Sequence, residues 1–73
     1  MSGIQVRQVL QNIRKRRVGL GYSQEYMAHR LGISQKGYSK LELDVSRLTV
    51  DRFLDICEIL EMNPAEMISP TAP

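Results

Sequence analysis

Apolar residues along the chain recur at spacings of three and four, not two. The first stretch carries them at Val6, Val9, Leu10 and Ile13, then Leu20, and a later one at Phe53, Ile56, Cys57 and Leu60. That period places each set on one face of an α-helix and leaves no candidate strand. Between the helical stretches a short device repeats: an apolar residue, a capping residue, and a second apolar residue four positions after the cap. It occurs at Tyr22-Ser23 with Met27, Ile33-Ser34 with Tyr38, Leu48-Thr49 with Phe53, and Met62-Asn63 with Met67. The capping oxygen accepts from amides left free in the first helical turn, and the apolar pair closes over it as a hydrophobic staple. Pro64 at a first helical position and Glu66 at the third strengthen the last instance. With Ser2 as the candidate cap of the first helix and Gln5 three residues on, the pattern predicts helices at roughly 3–17, 24–31, 35–43, 50–61 and 64–68. Gly19 and Gly21 end the first and Gly32 ends the second. The expected fold is all-α, a compact five-helix bundle over residues 1–69, with residues 70–73 a frayed tail.

Composition narrows what such a bundle can do. At 73 residues there is room for one core. A chain this short buries only about 60% of its extended surface, so self-association would add stability. A single cysteine, Cys57, and a single histidine, His29, exclude an internal disulfide and leave no ligand set for a metal. No cofactor and no small-molecule ligand is expected. No apolar stretch suits a signal peptide or a membrane span, and a reducing, cytoplasmic setting is expected. Enzyme chemistry lacks a constellation: there is no paired acid and base and no phosphate-cradling glycine loop. Ser23 and Ser34 are caps, Cys57 is a small apolar residue on a helix face, and Asp51, Asp55, Glu58 and Glu61 form a solvated face. Tyr26 is the one tyrosine not needed as a staple.

Charge adds a direction. The net charge is +2 and the pI about 9.0, with Arg14-Lys15-Arg16-Arg17 a dense basic cluster and the acids concentrated after Glu42. Nucleic-acid binders show this asymmetry. The plainer reading is a helix end whose dipole favours cations.

The stretch "RLGISQKGYSK", Arg30 to Lys40, is the most informative. Gly32 stops one helix and Ser34 caps the next almost at once, which makes a helix-turn-helix. The small Ala28 allows close crossing, and Met27, Leu31, Ile33, Tyr38 and Leu41 supply the apolar seam. With Tyr38 and Leu41 inward, Gln35, Lys36, Ser39 and Lys40 share the outward face. That face carries no acid and no bulky apolar group. Glutamine pairs bidentately with adenine and lysine donates to guanine. The alternative is simple solvation of a surface helix.

These residues resemble the phage-repressor/Cro (XRE-like) helix-turn-helix family. The similarity runs from "SQEYMAHRLGISQKGYSKLE" (Ser23 to Glu42) through "LTVDRFLDICEILEMNPAEM" (Leu48 to Met67), with Gln24, Ala28, Gly32, Ile33, Tyr38, Leu41 and Glu42 at the expected places. The resemblance implies a double-stranded DNA-binding regulator, with its third helix in the major groove and base contacts from Gln35, Lys36 and Lys40, Ser39 sharing their face. It implies phosphate contacts from Ser23 and Gln24, the latter also orienting Gln35. It further implies an ion pair between Arg17 and Glu42 that ties the first helix to the third. A homodimer would read two half-sites about 34 Å apart. Val50, Leu54, Ile59, Met67 and Ile68 are its candidate interface, or else part of the core. Repression is the simplest output for a protein without a ligand domain.

Three departures stand out. "LDVSR", Leu43 to Arg47, replaces the Asn-Gly-Lys-like turn that grips the DNA backbone in the family. Asp44 is expected to keep that turn by adopting the left-handed conformation, and Ser46 and Arg47 are left to hold phosphate. Arg16 sits where a core leucine is usual. Gly37 either lets the helix approach DNA closely or is merely tolerated. The Leu43–Val45 departure motivates a second expectation, an adaptor or antitoxin-like module whose main partner is a protein.

Overall fold

The computed structural model describes residues 6–68, and every regular element among them is helical. The elements are α1 (Val6–Gly19), α2 (Gln24–Leu31), α3 (Gln35–Leu41), a 3₁₀ turn (Val45–Arg47), α4 (Val50–Ile59) and α5 (Pro64–Met67). The predicted Ser2 cap, the start of the first helix and the 70–73 tail lie outside the described residues.

The four predicted caps among the described residues all form. Ser23 Oγ accepts from the Tyr26 amide at 2.9 Å, and Ser34 Oγ accepts from that of Gly37 at 3.0 Å. Thr49 Oγ1 accepts from the Arg52 amide at 3.1 Å, and Asn63 Oδ1 accepts from that of Ala65 at 2.8 Å. The preceding helix ends show why the links are so short. The Ile33 amide reaches back to the Ala28 carbonyl at 3.0 Å and the Gly32 amide to His29 at 3.1 Å. This is the Schellman closure, with Gly32 left-handed at φ 71°. Tyr22 and Gly21 close α1 in the same way on Arg17 and Val18, and Met62 and Glu61 close α4 on Cys57 and Glu58. Three of the links are therefore a left-handed residue, an apolar residue and a cap, Gly21-Tyr22-Ser23, Gly32-Ile33-Ser34 and Glu61-Met62-Asn63, while α3 passes to α4 through the 3₁₀ turn. The apolar residue serves both ends, covering the helix just finished and stapling the helix about to start.

Four helix ends differ from expectation: α1 runs on to Gly19 rather than 17, α5 stops at Met67 rather than 68, and α3 and α4 both end two residues early. The third helix stops at Leu41 rather than 43, because Glu42 becomes its C-terminal cap residue. The fourth stops at Ile59 rather than 61, because Glu61 turns left-handed at φ 53° without being glycine. Arg16 accounts for that end. Its Nε donates to the Leu60 carbonyl at 2.9 Å and its terminal nitrogen to that of Glu61 at 3.4 Å. The arginine at an expected leucine position thus supplies hydrogen bonds to carbonyls that the end of α4 would otherwise leave unpaired.

Ile13, Met27, Tyr38, Ile56, Cys57, Leu60 and Met67 form the fully buried centre, so every helix contributes. The partly buried Leu20, Tyr22, Leu31, Ile33, Leu48, Phe53 and Met62 pack around it. Asn12 is buried too, donating from Nδ2 to the Met67 carbonyl at 2.6 Å and accepting from Gln8 at 3.0 Å, which ties α1 to the end of α5. Of the candidate dimer residues, Ile59 and Met67 belong to this core, whereas Val50, Leu54 and Ile68 are exposed.

Candidate nucleic-acid interface

The α2–α3 pair presents its outer surface as the spacing predicts. Tyr38, fully buried, and Leu41 fix the inner face of α3, while Gln35, Lys36 and Lys40 are exposed and Ser39 is half-buried. The first turn of α3 contains no acid, so its free amide ends and the two lysines form an unopposed positive surface. Gly37 has a local reason to be small. A Cβ there would lie 3.1 Å from Ser34 Oγ, the oxygen that caps the helix through the Gly37 amide itself.

Glu42 is the hub that holds this pair against α1. Arg17 donates from Nε to Oε2 at 2.7 Å and from a terminal nitrogen to Oε1 at 3.3 Å. The other terminal nitrogen donates to the Tyr22 carbonyl at 2.8 Å. Tyr38 donates its hydroxyl to Oε2 at 2.6 Å, and Gln24 donates from Nε2 to Oε1 at 3.1 Å. The carboxylate and guanidinium are both buried. Burial pushes the Glu42 carboxyl up, but donors from Arg17, Tyr38 and Gln24 outweigh it and hold Glu42 below the ordinary glutamate range. The bond to Glu42 raises Arg17 in turn, and burial with the same carboxylate pushes the Tyr38 hydroxyl far above the ordinary tyrosine value. Tyr38 is the hub member the sequence pattern did not flag, because its ring also satisfies the staple. Gln24 spends one amide hydrogen on Glu42, at the C-terminal end of α3, rather than on Gln35 at its start.

Ser23 is exposed at the start of α2, its oxygen accepting from the Tyr26 amide and its O–H still available as a donor. Asp44 does not become left-handed. Its backbone is extended at φ −138°, because its side chain caps the 3₁₀ turn, accepting from the Ser46 amide at 3.0 Å and hydroxyl at 2.7 Å. Hydrogen bonds from Ser46 hold the exposed Asp44 carboxyl below its ordinary value. Arg47 lies 3.5 Å from the same carboxylate. Ser46 and Arg47 are thus exposed but partnered within their own turn, and Leu43 beside them is 84% exposed. Tyr26 is less free than its position suggested, with its ring 4.5 Å from that of Tyr22 and its hydroxyl accepting from Arg30 at 2.6 Å. Cys57 is buried, which pushes its thiol up to about 11.

Two short helices crossed over a glycine turn, the second capped and polar on its outer face, define a helix-turn-helix of the DNA-binding class. The comparison with protein families agrees: residues 13–67 match the family described as helix-turn-helix. The chain belongs to that family and to its Cro/C1-type, XRE-like branch. Comparisons with curated proteins and with solved structures give no match. No helix among the described residues is long and apolar enough to cross a membrane.

Proposed function

We propose that the protein is a sequence-specific regulator of transcription, a repressor acting in the cytoplasm as a homodimer on double-stranded DNA. The observation that carries this reading is the outer face of α3, where Gln35, Lys36 and Lys40 project together from a helix whose inner face is locked by Tyr38 and Leu41. In this reading those three side chains, with Ser39, meet base edges in the major groove. Ser23, the free N–H of Gln24, Ser46 and Arg47 meet phosphates on either side. The Arg17–Glu42 pair sets the angle at which α3 is offered, a positional role that suits a buried ion pair better than a stabilising one. Val50, 74% exposed, with Leu54 and Ile68, forms the apolar patch through which two copies associate. Selection of bound duplexes from a random library tests all of this together. A two-fold symmetric site should emerge, and recovery of duplexes without symmetry or common sequence contradicts the reading.

Leu43 favours a second reading, the adaptor or antitoxin-like module, because so exposed a leucine stands where a backbone-gripping residue is expected. Titrating salt against a random duplex separates the two. A DNA binder loses affinity steeply, with a log–log slope of about −0.9 per phosphate neutralised, whereas an adaptor shows no binding even at low salt.

A further inference from the structure

α1 carries cations that the helix-turn-helix itself does not use. Arg7 and Arg14 are exposed, and neither makes a hydrogen bond or ion pair among the described residues, where Arg17 is bound to Glu42 and Arg47 to Asp44. Seven positions apart, they lie on one stripe of the helix, two turns or about 10 Å from each other, with Gln11 between them. That stripe forms one wall of two adjoining surface crevices. Arg7, Leu10, Gln11 and Arg14 face Glu42 and Leu43 across the first, and Arg7 and Leu10 face Leu43, Asp44 and Val45 across the second. The opposite wall is therefore the segment by which the chain leaves α3.

We propose that Arg7 and Arg14, with Gln11 between them, are a second phosphate grip, contacting the DNA strand that borders the groove where α3 emerges. The proposal rests on the DNA-binding reading and deepens it. When α3 lies in the major groove, the residues just after it meet the flanking backbone, and here those residues are poor at holding phosphate. Leu43 and Val45 offer no donor side chain, which leaves Ser46 and Arg47, both shared with Asp44, as the only donors of this segment. The cations at this edge that no carboxylate shares are those of α1. Each strand carries one phosphate per about 3.4 Å of axis, so two arginines about 10 Å apart match charges on a single strand. The acids on the opposite wall do not oppose this: Glu42 is neutralised by Arg17, and Asp44 by Arg47. A groove with leucines and two arginines would also suit an acidic amphipathic peptide, but DNA is favoured because the crevice opens beside the recognition helix.

Fluorescence anisotropy on a random-sequence duplex across a salt series tests the grip. Arg7→Ala and Arg14→Ala should each lower the slope of log K against log salt by about 0.9, and together by about 1.8. The preference for the selected site over random DNA should stay unchanged, and Arg14→Lys should restore the slope. Lys15→Ala removes the same charge from the neighbouring side of α1, where Lys15 shares a separate depression with Gln11, Arg14, Val18 and Gly19 and does not line the crevices that face Leu43, and should leave the slope as it is. Far-UV circular dichroism confirms that these exposed-site variants are folded. If the wild type binds and the double variant keeps its slope, or Lys15→Ala lowers it equally, the grip is wrong while the DNA reading stands. Loss of acidic-peptide binding in its place would assign the crevice to a protein. If the wild type binds no duplex at all, both readings fall.

Discussion

Replacing Arg17 with alanine should reveal how much of this small domain depends on one buried charge. The substitution removes two bonds to Glu42, at 2.7 and 3.3 Å, and one to the Tyr22 carbonyl at 2.8 Å. It leaves a carboxylate whose side chain is only 3% exposed, facing Tyr38 and Gln24 alone. Breaking a buried pair by deleting one partner costs about 3–5 kcal/mol. At roughly 0.05–0.15 kcal/mol per residue, a chain of 73 residues has about 4–11 kcal/mol in total. Arg17→Ala should therefore remove about a quarter or more of the stability and lower the melting temperature by at least about 12 °C. The companion variant separates charge from packing. Arg17→Met with Glu42→Leu and Tyr38→Phe leaves no unpaired charge and no orphaned hydroxyl, and should recover most of the loss. Urea unfolding followed by circular dichroism at constant pH supplies both numbers. A cost below about 1 kcal/mol for Arg17→Ala, or a triple variant no more stable than the single one, would refute the account of Glu42 as a buried, arginine-dependent hub.

Other outcomes follow from the same contacts. The Glu42 carboxyl titrates lower folded than unfolded, so its contribution is fully present above the ordinary glutamate value of 4.5 and is lost as pH falls through the depressed folded value. Urea midpoints should accordingly be level from about pH 7 to about pH 5 and decline below that, and Glu42→Gln should flatten the decline. Glu61→Gly should stabilise by about 1 kcal/mol, because the left-handed backbone at φ 53° costs a side chain that much, whereas Gly32→Ala at φ 71° should destabilise by about 1–2 kcal/mol. Thermal melts of the two variants should move in opposite directions. Arg16→Ala should cost about 1 kcal/mol by removing the donors to the Leu60 and Glu61 carbonyls, without changing salt-dependent DNA affinity.

What the sequence made legible follows from which interactions are local. A cap and its staple are set within six residues, so Ser23, Ser34, Thr49 and Asn63 announced helix starts that all form. Glycine announced two of the three left-handed closures. The third, at Glu61, had no local signal, because a residue from another helix, Arg16, holds it in place. The same holds for Asn12, whose partner lies 55 positions away. In the interface, the inward set of α3 was legible from period alone, and with it the outward set. The partner of Gln24 was not, since that depends on how closely α2 approaches Glu42 in three dimensions. Asp44 is ambiguous from sequence because two local options compete for it, a left-handed turn or a cap over the following amides, and Ser46 two residues later favours the cap.

Whether the outward face of α3 reads bases is decided by measuring Gln35→Ala against the wild type on two duplexes, the selected site and a random sequence, at one salt concentration. Loss of a bidentate base contact should weaken the selected site by about 1–3 kcal/mol and leave random DNA unaffected. Equal weakening on both duplexes, or none on either, would contradict base reading by this face.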